Sequence, residues 1–172
     1  MASSEHPIIR YARLANDLPG DIIECGSWKL DSALRIGTIC KEKIVYACDT
    51  FRGMPEPTEI DGHKEGDFLT SWDEIMPLAE GTNIVPVPGR FKYTLPLIAQ
   101  SVRYFSMIYI DCDLYGSAKE AIDILWPCLV PQGILVADDY VNPACKGINL
   151  IMDTYFGGRM QVDENGFAMV RK

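Results

Sequence analysis

Tyr109-Ile110-Asp111-Cys112-Asp113-Leu114-Tyr115, answered by Ala137-Asp138-Asp139-Tyr140, decides how this chain folds. In both places an apolar run, residues 107–110 and 134–137, stops abruptly at carboxylates. Short apolar runs bounded by turn residues read as buried strands of a parallel sheet. Between them Ala118, Ala121, Ile122, Leu125, Trp126 and Leu129 recur at helical spacing. That spacing predicts a helix over residues 117–129, ended by Pro131-Gln132-Gly133. Strand–helix–strand units are right-handed with parallel strands, so both carboxyl ends share one sheet edge. Ligands of open α/β sheets bind at that edge. Asp111, Asp138 and Asp139 should converge there. Three unpaired carboxylates repel one another, whereas a hard divalent cation holds them together.

The same alternation extends outward. Residues 21–25 read as a strand turning at Gly26-Ser27, and Leu30, Ala33, Leu34, Gly37 and Cys40 give a helix to about residue 41. Residues 44–48 form a second strand ending at Asp49, and residues 83–87 a third, leading into a helix over 94–102. A short amphipathic helix over 7–16 precedes them, and another follows over 145–156. Residues 160–162 and 167–170 flank the turn Asp163-Glu164-Asn165-Gly166 as an antiparallel hairpin. Alternating strands and helices closed by a hairpin predict an α/β protein, a three-layer α/β/α sandwich with a mostly parallel sheet, and one domain over 1–172. Residues 54–81 break the pattern. Pro55, Pro57, Gly62, Gly66 and several acids mark a surface insertion with a helical turn or two over 72–79, and insertions this long are usually functional or mobile.

Composition excludes more than it assigns. The 172 residues carry 24 acids against 16 bases, a net charge of −8, and no basic run, which disfavours a nucleic-acid partner and fits small-molecule chemistry. No apolar stretch approaches a membrane span, and the first residues show no secretory pattern, so the expectation is a cytoplasmic protein without membrane contact. The six cysteines have no CxxC spacing and read as buried free thiols. No GxSxG occurs, leaving a serine-hydrolase reading without support.

The strand ends carry the candidate chemistry. Gly26, in Glu24-Cys25-Gly26-Ser27-Trp28, would let a ligand approach the backbone, and the next helix offers free N–H groups. Asp49, closing the following strand, is placed to accept hydrogen bonds from a ribose diol, although a plain turn acid is an equal alternative. In Gly89-Arg90-Phe91 the aromatic face can stack on a purine or simply fill core. Asp113 and Asp139 have a bland reading as helix caps. His6 reads as an exposed tail residue. His63, in the insertion, reads as a solvated loop histidine or, alternatively, a base within reach of the site.

Taken together, PGDIIECGSWKLDSA, ACDTFRGMPEP, PGRFKYTLP and IDCDLYGSAKEAIDILWPCLVPQGILVADDY resemble the macrocin/TylF-type sugar O-methyltransferases across about residues 19–156. The resemblance implies a Rossmann-like class I methyltransferase fold, S-adenosylmethionine as methyl donor and magnesium-dependent O-methylation. It implies that Glu24, Gly26 and Trp28 line the methionine end of the cofactor, that Asp49 holds the ribose, and that Phe51, Gly89, Arg90 and Phe91 lie near the adenine. Ser27, Ser32, Thr50 and Asp111 complete the implied cofactor-binding set. Asp111, Asp138 and Asp139 would bind Mg2+, with Asp111 as the leading candidate for the base. Catechol-type enzymes are similar, with Asn for the last acid. The family's longer N-terminal helical region, which helps cover the acceptor pocket, has no counterpart here, and the insertion at 54–81 is the expected partial lid. The expected partner is a small-molecule hydroxyl acceptor, and a homo-oligomer is compatible with the sequence. Two alternatives stand beside this reading. One is a nucleotide-sugar glycosyltransferase using Asp111-Cys112-Asp113 as a DxD metal site; the other is a non-catalytic cofactor-binding module.

Overall fold

The computed structural model describes residues 5–102 and 104–172, so residues 1–4 and 103 of the expected span 1–172 lie outside the described residues. Five parallel strands form the centre: β1 (Asp21–Cys25), β2 (Val45–Asp49), β3 (Ile84–Pro88), β4 (Phe105–Ile110) and β5 (Leu129–Ala137). The antiparallel pair β6 (Gln161–Val162) and β7 (Ala168–Arg171) extends the sheet beside β5. The resulting order is β3-β2-β1-β4-β5-β7-β6. Helices α1 (Ile8–Asn16), α2 (Asp31–Ile39) and α3 (Trp72–Ala79) cover one face, and α4 (Phe91–Ser101), α5 (Tyr115–Leu125) and α6 (Lys146–Phe156) the other. This is the expected three-layer sandwich with its C-terminal hairpin.

Strand pleating explains the two cores. Along the fully buried β4, Met107 and Tyr109 face the α1–α2–α3 layer with Ile8, Ile36 and Ile75. Ile108 and Ile110 face the other layer with Leu95, Ile122 and Ile148. The order in which strands are added reverses between β1 and β4, and the cleft of the protein opens at that switch point. All six cysteines are free, and among the described residues no helix is long and apolar enough to cross a membrane.

Two expectations about local structure need correction. The helix predicted over 117–129 ends at Leu125, followed by a 3₁₀ turn at Trp126–Cys128. Pro127 is the cause, since its ring clashes with the preceding turn and it has no N–H to donate. Pro131-Gln132-Gly133 is therefore no helix stop. It forms an irregularity inside β5, where the register jumps from Phe105↔Leu129 to Met107↔Ile134 and Gln132 takes a φ of 66°. The ammonium of Lys172 donates to the carbonyls of Trp126, Pro127 and Leu129 at 2.8–3.1 Å, satisfying groups the broken helix leaves free. The helix predicted from residue 94 begins a turn earlier, at Phe91, and carries Pro96 inside it, at the cost of one backbone hydrogen bond.

Candidate active site

The carboxyl ends of β1, β2 and β4 open onto a cleft of about 760 Å³, a size that suits a drug-sized ligand. Gly26, Ser27, Trp28, Ser32, Asp49, Thr50, Arg90, Phe91 and Asp111 line it, nine of the positions expected from sequence. The turns around it are conformationally unusual. Trp28 and Leu30 after β1, Phe51 after β2, Asp113 after β4 and Asp139 after β5 all have positive φ without being glycine. Such backbone clusters where surrounding structure over-determines it, commonly at functional sites.

Gly26 lines the cleft and is also required to be glycine by its packing. A Cβ there would lie 2.0 Å from the Asp111 carbonyl oxygen, and its φ is +95°. The residue lets the β1 turn nest against the β4 turn, which brings Asp111 beside the loop after β1. Behind that turn Glu24 is wholly buried. Its Oε1 accepts the Ser32 hydroxyl, while its Oε2 and the Ser27 hydroxyl have no partner. Burial pushes the Glu24 carboxyl up to about 7. A buried carboxylate oxygen without a donor fits a cationic group such as an ammonium.

Asp49 organises the next part of the wall. Its Oδ2 accepts the backbone N–H groups of Ser27 and Trp28, both at 3.0 Å, and its Oδ1 that of Phe51 at 2.7 Å. The acid therefore ties two strand-end turns together as well as facing the cleft. Phe51 is buried against Trp72 and does not line the cleft. Gly89 also stands behind the wall, donating its N–H to the Asp49 carbonyl at 2.8 Å, while Arg90 and Phe91 reach the cleft surface.

The acidic edge gathers as expected, with an internal arrangement that strand position alone did not specify. Carboxylate oxygens of Asp111, Asp113 and Asp139 lie within 4.8 Å of one another, a donor set that fits a hard divalent cation. Asp138 stands beside them, its Oδ2 accepting the Tyr109 hydroxyl at 2.9 Å and its Oδ1 the Asp139 N–H at 2.8 Å. Tyr109 also lies 3.1 Å from Asp111 Oδ2. One hydroxyl proton cannot serve both carboxylates, so one of the two acids is protonated whenever both contacts are hydrogen bonds. Burial, then the neighbouring acids Asp138, Glu24 and Asp113, hold Asp111 well above the usual carboxylate range. Burial raises Asp138 as well, and burial with Asp139 raises Asp113.

The cap reading of Asp113 and Asp139 does not describe this geometry. The N–H of Tyr115, at the start of α5, goes to Asp61 Oδ1 at 2.9 Å, an acid from the 54–81 segment. Asp113 Oδ1 instead accepts the Cys145 thiol at 3.4 Å, and Asp139 accepts the Asn142 amide at 2.9 Å. The segment itself is tethered. Gly62 donates to the Ala144 carbonyl at 2.9 Å, and Met54 and Gly66 bond across its base. Met54, Pro55, Glu56, Thr58, Asp61 and Phe68 wall the cleft. His63 is accordingly not a solvated loop residue, since its Nε2 lies 3.6 Å from Cys145 Sγ. His6 reaches the cleft too, rather than standing free in the tail. Tyr109 was legible in principle, because residues two apart on a strand share a face and it sits two before Asp111. Asp61 and Cys145 carried no signal in sequence.

The family model described as Macrocin-O-methyltransferase (TylF) matches residues 9–157. A 4'-O-methyltransferase from Streptomyces olivaceus, acting on 8-demethyl-8-(2,3-dimethoxy-alpha-L-rhamnosyl)-tetracenomycin-C, is 29% identical over 153 residues, 77% of this chain and 58% of the relative. The chain spans 58–60% of the length of the curated relatives it matches. Among solved structures, the calicheamicin methyltransferase CalS11 superposes with a TM-score of 0.85 at 20% identity, covering 95% of this chain and 76% of that one. MycE methyltransferase from the mycinamycin pathway, solved in complex with Mg and SAH, superposes with a TM-score of 0.58 at 16% identity, over 95% and 44% of the two chains.

Proposed function

The chain belongs to the macrocin O-methyltransferase (TylF) family, and from that membership we propose that it moves a methyl group from S-adenosylmethionine to a hydroxyl of a sugar or glycosylated natural product. The observation that carries this reading is the pairing, across one cleft, of two unlike ends. Asp49 stands on the wall at one end with an unpartnered Glu24 oxygen buried behind it, and Asp111 and Asp113 line the other end, backed by Asp139.

Glu24 with Ser27 would receive the ammonium end of the cofactor, Asp49 its ribose, and Arg90 with Phe91 its adenine. Asp111 and Asp139, with Asp113 or Asp138, would hold Mg2+. When bound, the sulfonium supplies an electrophilic methyl and the cation lowers the pKa of a nearby hydroxyl. The chain's own contribution is positioning, because transfer needs the acceptor oxygen in line with the methyl at near contact distance. Asp111, which lines the cleft beside the acidic group, is the base of the proposal. It takes the hydroxyl proton as the O–CH3 bond forms and the S–CH3 bond breaks, and later returns that proton to solvent. Burial, and then crowding by other carboxyls, hold Asp111 well above the usual carboxylate range, so the positive charge of cofactor and cation would favour its ionised form. Segment 54–81 would act as the lid that excludes water.

The test is a pair of measurements. Calorimetry should detect S-adenosylhomocysteine binding, and mass spectrometry with methyl-deuterated cofactor should find label on a glycosylated acceptor only when Mg2+ is present. Absence of S-adenosylhomocysteine binding would overturn the donor assignment. Equal turnover in chelator would overturn the metal dependence.

A further inference from the structure

The 54–81 segment, the turn after β4 and the N-terminus of α6 meet at His63, Asp113 and Cys145, and methyl transfer as described uses neither the imidazole nor the thiol. Their ligand atoms all lie within 4.8 Å of one another. We propose that these three residues form a second metal site, thiophilic and of the zinc class, that clamps the 54–81 segment onto α6.

The distances carry the argument. Zinc binds sulfur at about 2.3 Å and nitrogen or oxygen at about 2.0–2.1 Å, and at the tetrahedral angle the sulfur then stands about 3.5 Å from each of the other two ligands. Cys145 Sγ is 3.6 Å from His63 Nε2 and 3.4 Å from Asp113 Oδ1. The other ring nitrogen, Nδ1, has Asp67 Oδ2 3.7 Å away, beyond hydrogen-bond distance but on the side where a carboxylate orients a metal-binding imidazole. Phe68 packs against the same ring, with centroids 5.6 Å apart. A thiol bonded only to Asp113 needs none of these features of His63. Sulfur and imidazole favour zinc over magnesium, whereas the neighbouring group of Asp111, Asp113 and Asp139 is all oxygen. The two sites share Asp113 and differ in softness.

Three protein ligands leave a fourth position for water. Binding displaces the Cys145 proton to solvent, so affinity falls as pH is lowered. The three ligands come from three elements, so a bound cation would cross-link the segment to the strand-end turns it already touches through Asp61 and Gly62.

Cobalt(II) titration of the full chain tests this without reference to methyl transfer. With excess Mg2+ present to occupy the all-oxygen site, the expected result is one equivalent giving a thiolate-to-cobalt charge-transfer band, which is retained in Asp138→Asn. Cys145→Ser and His63→Asn should each abolish the band and weaken cobalt binding by at least about tenfold, since even losing an outer-shell partner of a metal ligand costs that much. His63→Asn changes a side chain outside both cores and stands in if Cys145→Ser does not fold. Cobalt binding without a thiolate band in the wild type would overturn the site. So would a band that survives in either folded variant, because the thiolate or the clamp would then lie elsewhere.

Discussion

On the wall at the β1–β2 end of the cleft Asp49 is answered by three backbone N–H groups, with Glu24 buried behind it. At the β4–β5 end four carboxylates share a tyrosine hydroxyl, a thiol, one backbone N–H and an asparagine amide. Among the described residues no salt bridge reaches any of those four. The difference teaches how each end is made ready. Backbone donors are supplied by folding itself and stand in place before a ligand arrives. Crowded acids are left short of positive charge, so the second end gains most from a bound cation, and that gain appears as stability.

The broadest way to break this comparison is through pH. Glu24, Asp111, Asp113 and Asp138 all have carboxyls raised above the ordinary range, each mainly by burial. A carboxyl with a higher pKa folded than unfolded favours folding while protonated, and that contribution is lost as pH rises through the folded value. Metal-free protein should therefore melt highest near pH 5 and progressively lower toward pH 8. Glu24, raised to about 7, alone corresponds to roughly 3 kcal/mol across that window. Thermal melts in chelator should show the fall, Mg2+ should flatten it, and Glu24→Gln should remove the Glu24 share. A metal-free melting temperature that rises with pH would mean the acids are compensated by something else.

Asp49→Ala probes the opposite end. It removes the acceptor for three N–H groups and, on the proposed function, for the ribose. Hydrogen bonds to charged groups are worth about 1.5–3 kcal/mol, so S-adenosylhomocysteine should bind about ten- to a hundredfold more weakly by calorimetry. Unchanged affinity would mean that Asp49 serves only the turns.

The smallest effect sharpens the acidic end itself. Asp113→Asn and Asp138→Asn should each change metal-free stability by no more than about 1 kcal/mol, because Asn keeps an acceptor oxygen and removes a like charge. Their responses to Mg2+ should differ. With the ligand oxygens as grouped here, Asp113→Asn loses the larger part of the magnesium-dependent melting shift. The opposite ranking would return the third ligand to Asp138, freed from the Tyr109 hydroxyl.

Much of the fold was legible because burial writes itself into periodicity. The runs ending at Cys25, Asp49 and Ile110 could only be buried strands, and the acids stopping them had to share an edge once the crossovers were right-handed. Boundaries failed where one residue outweighed the pattern. Trp126 and Leu129 continue the apolar spacing of α5, yet Pro127 between them ends the helix.

What the sequence determined by itself was the sheet edge and the identity of the acids upon it, because strand direction and side-chain period follow from local chemistry. Only the tertiary structure decided which of those acids face one another, that Tyr109 stands between Asp111 and Asp138, and that Asp61, His63 and Cys145 arrive at the same edge. The physical reason is that, the hydroxyl of Tyr109 on β4 apart, these contacts are made by turns and loop residues. Turn residues with positive φ at Asp113 and Asp139, and a segment tethered through Asp61 and Gly62, take their conformations from what they pack against, and that packing has no period in the sequence.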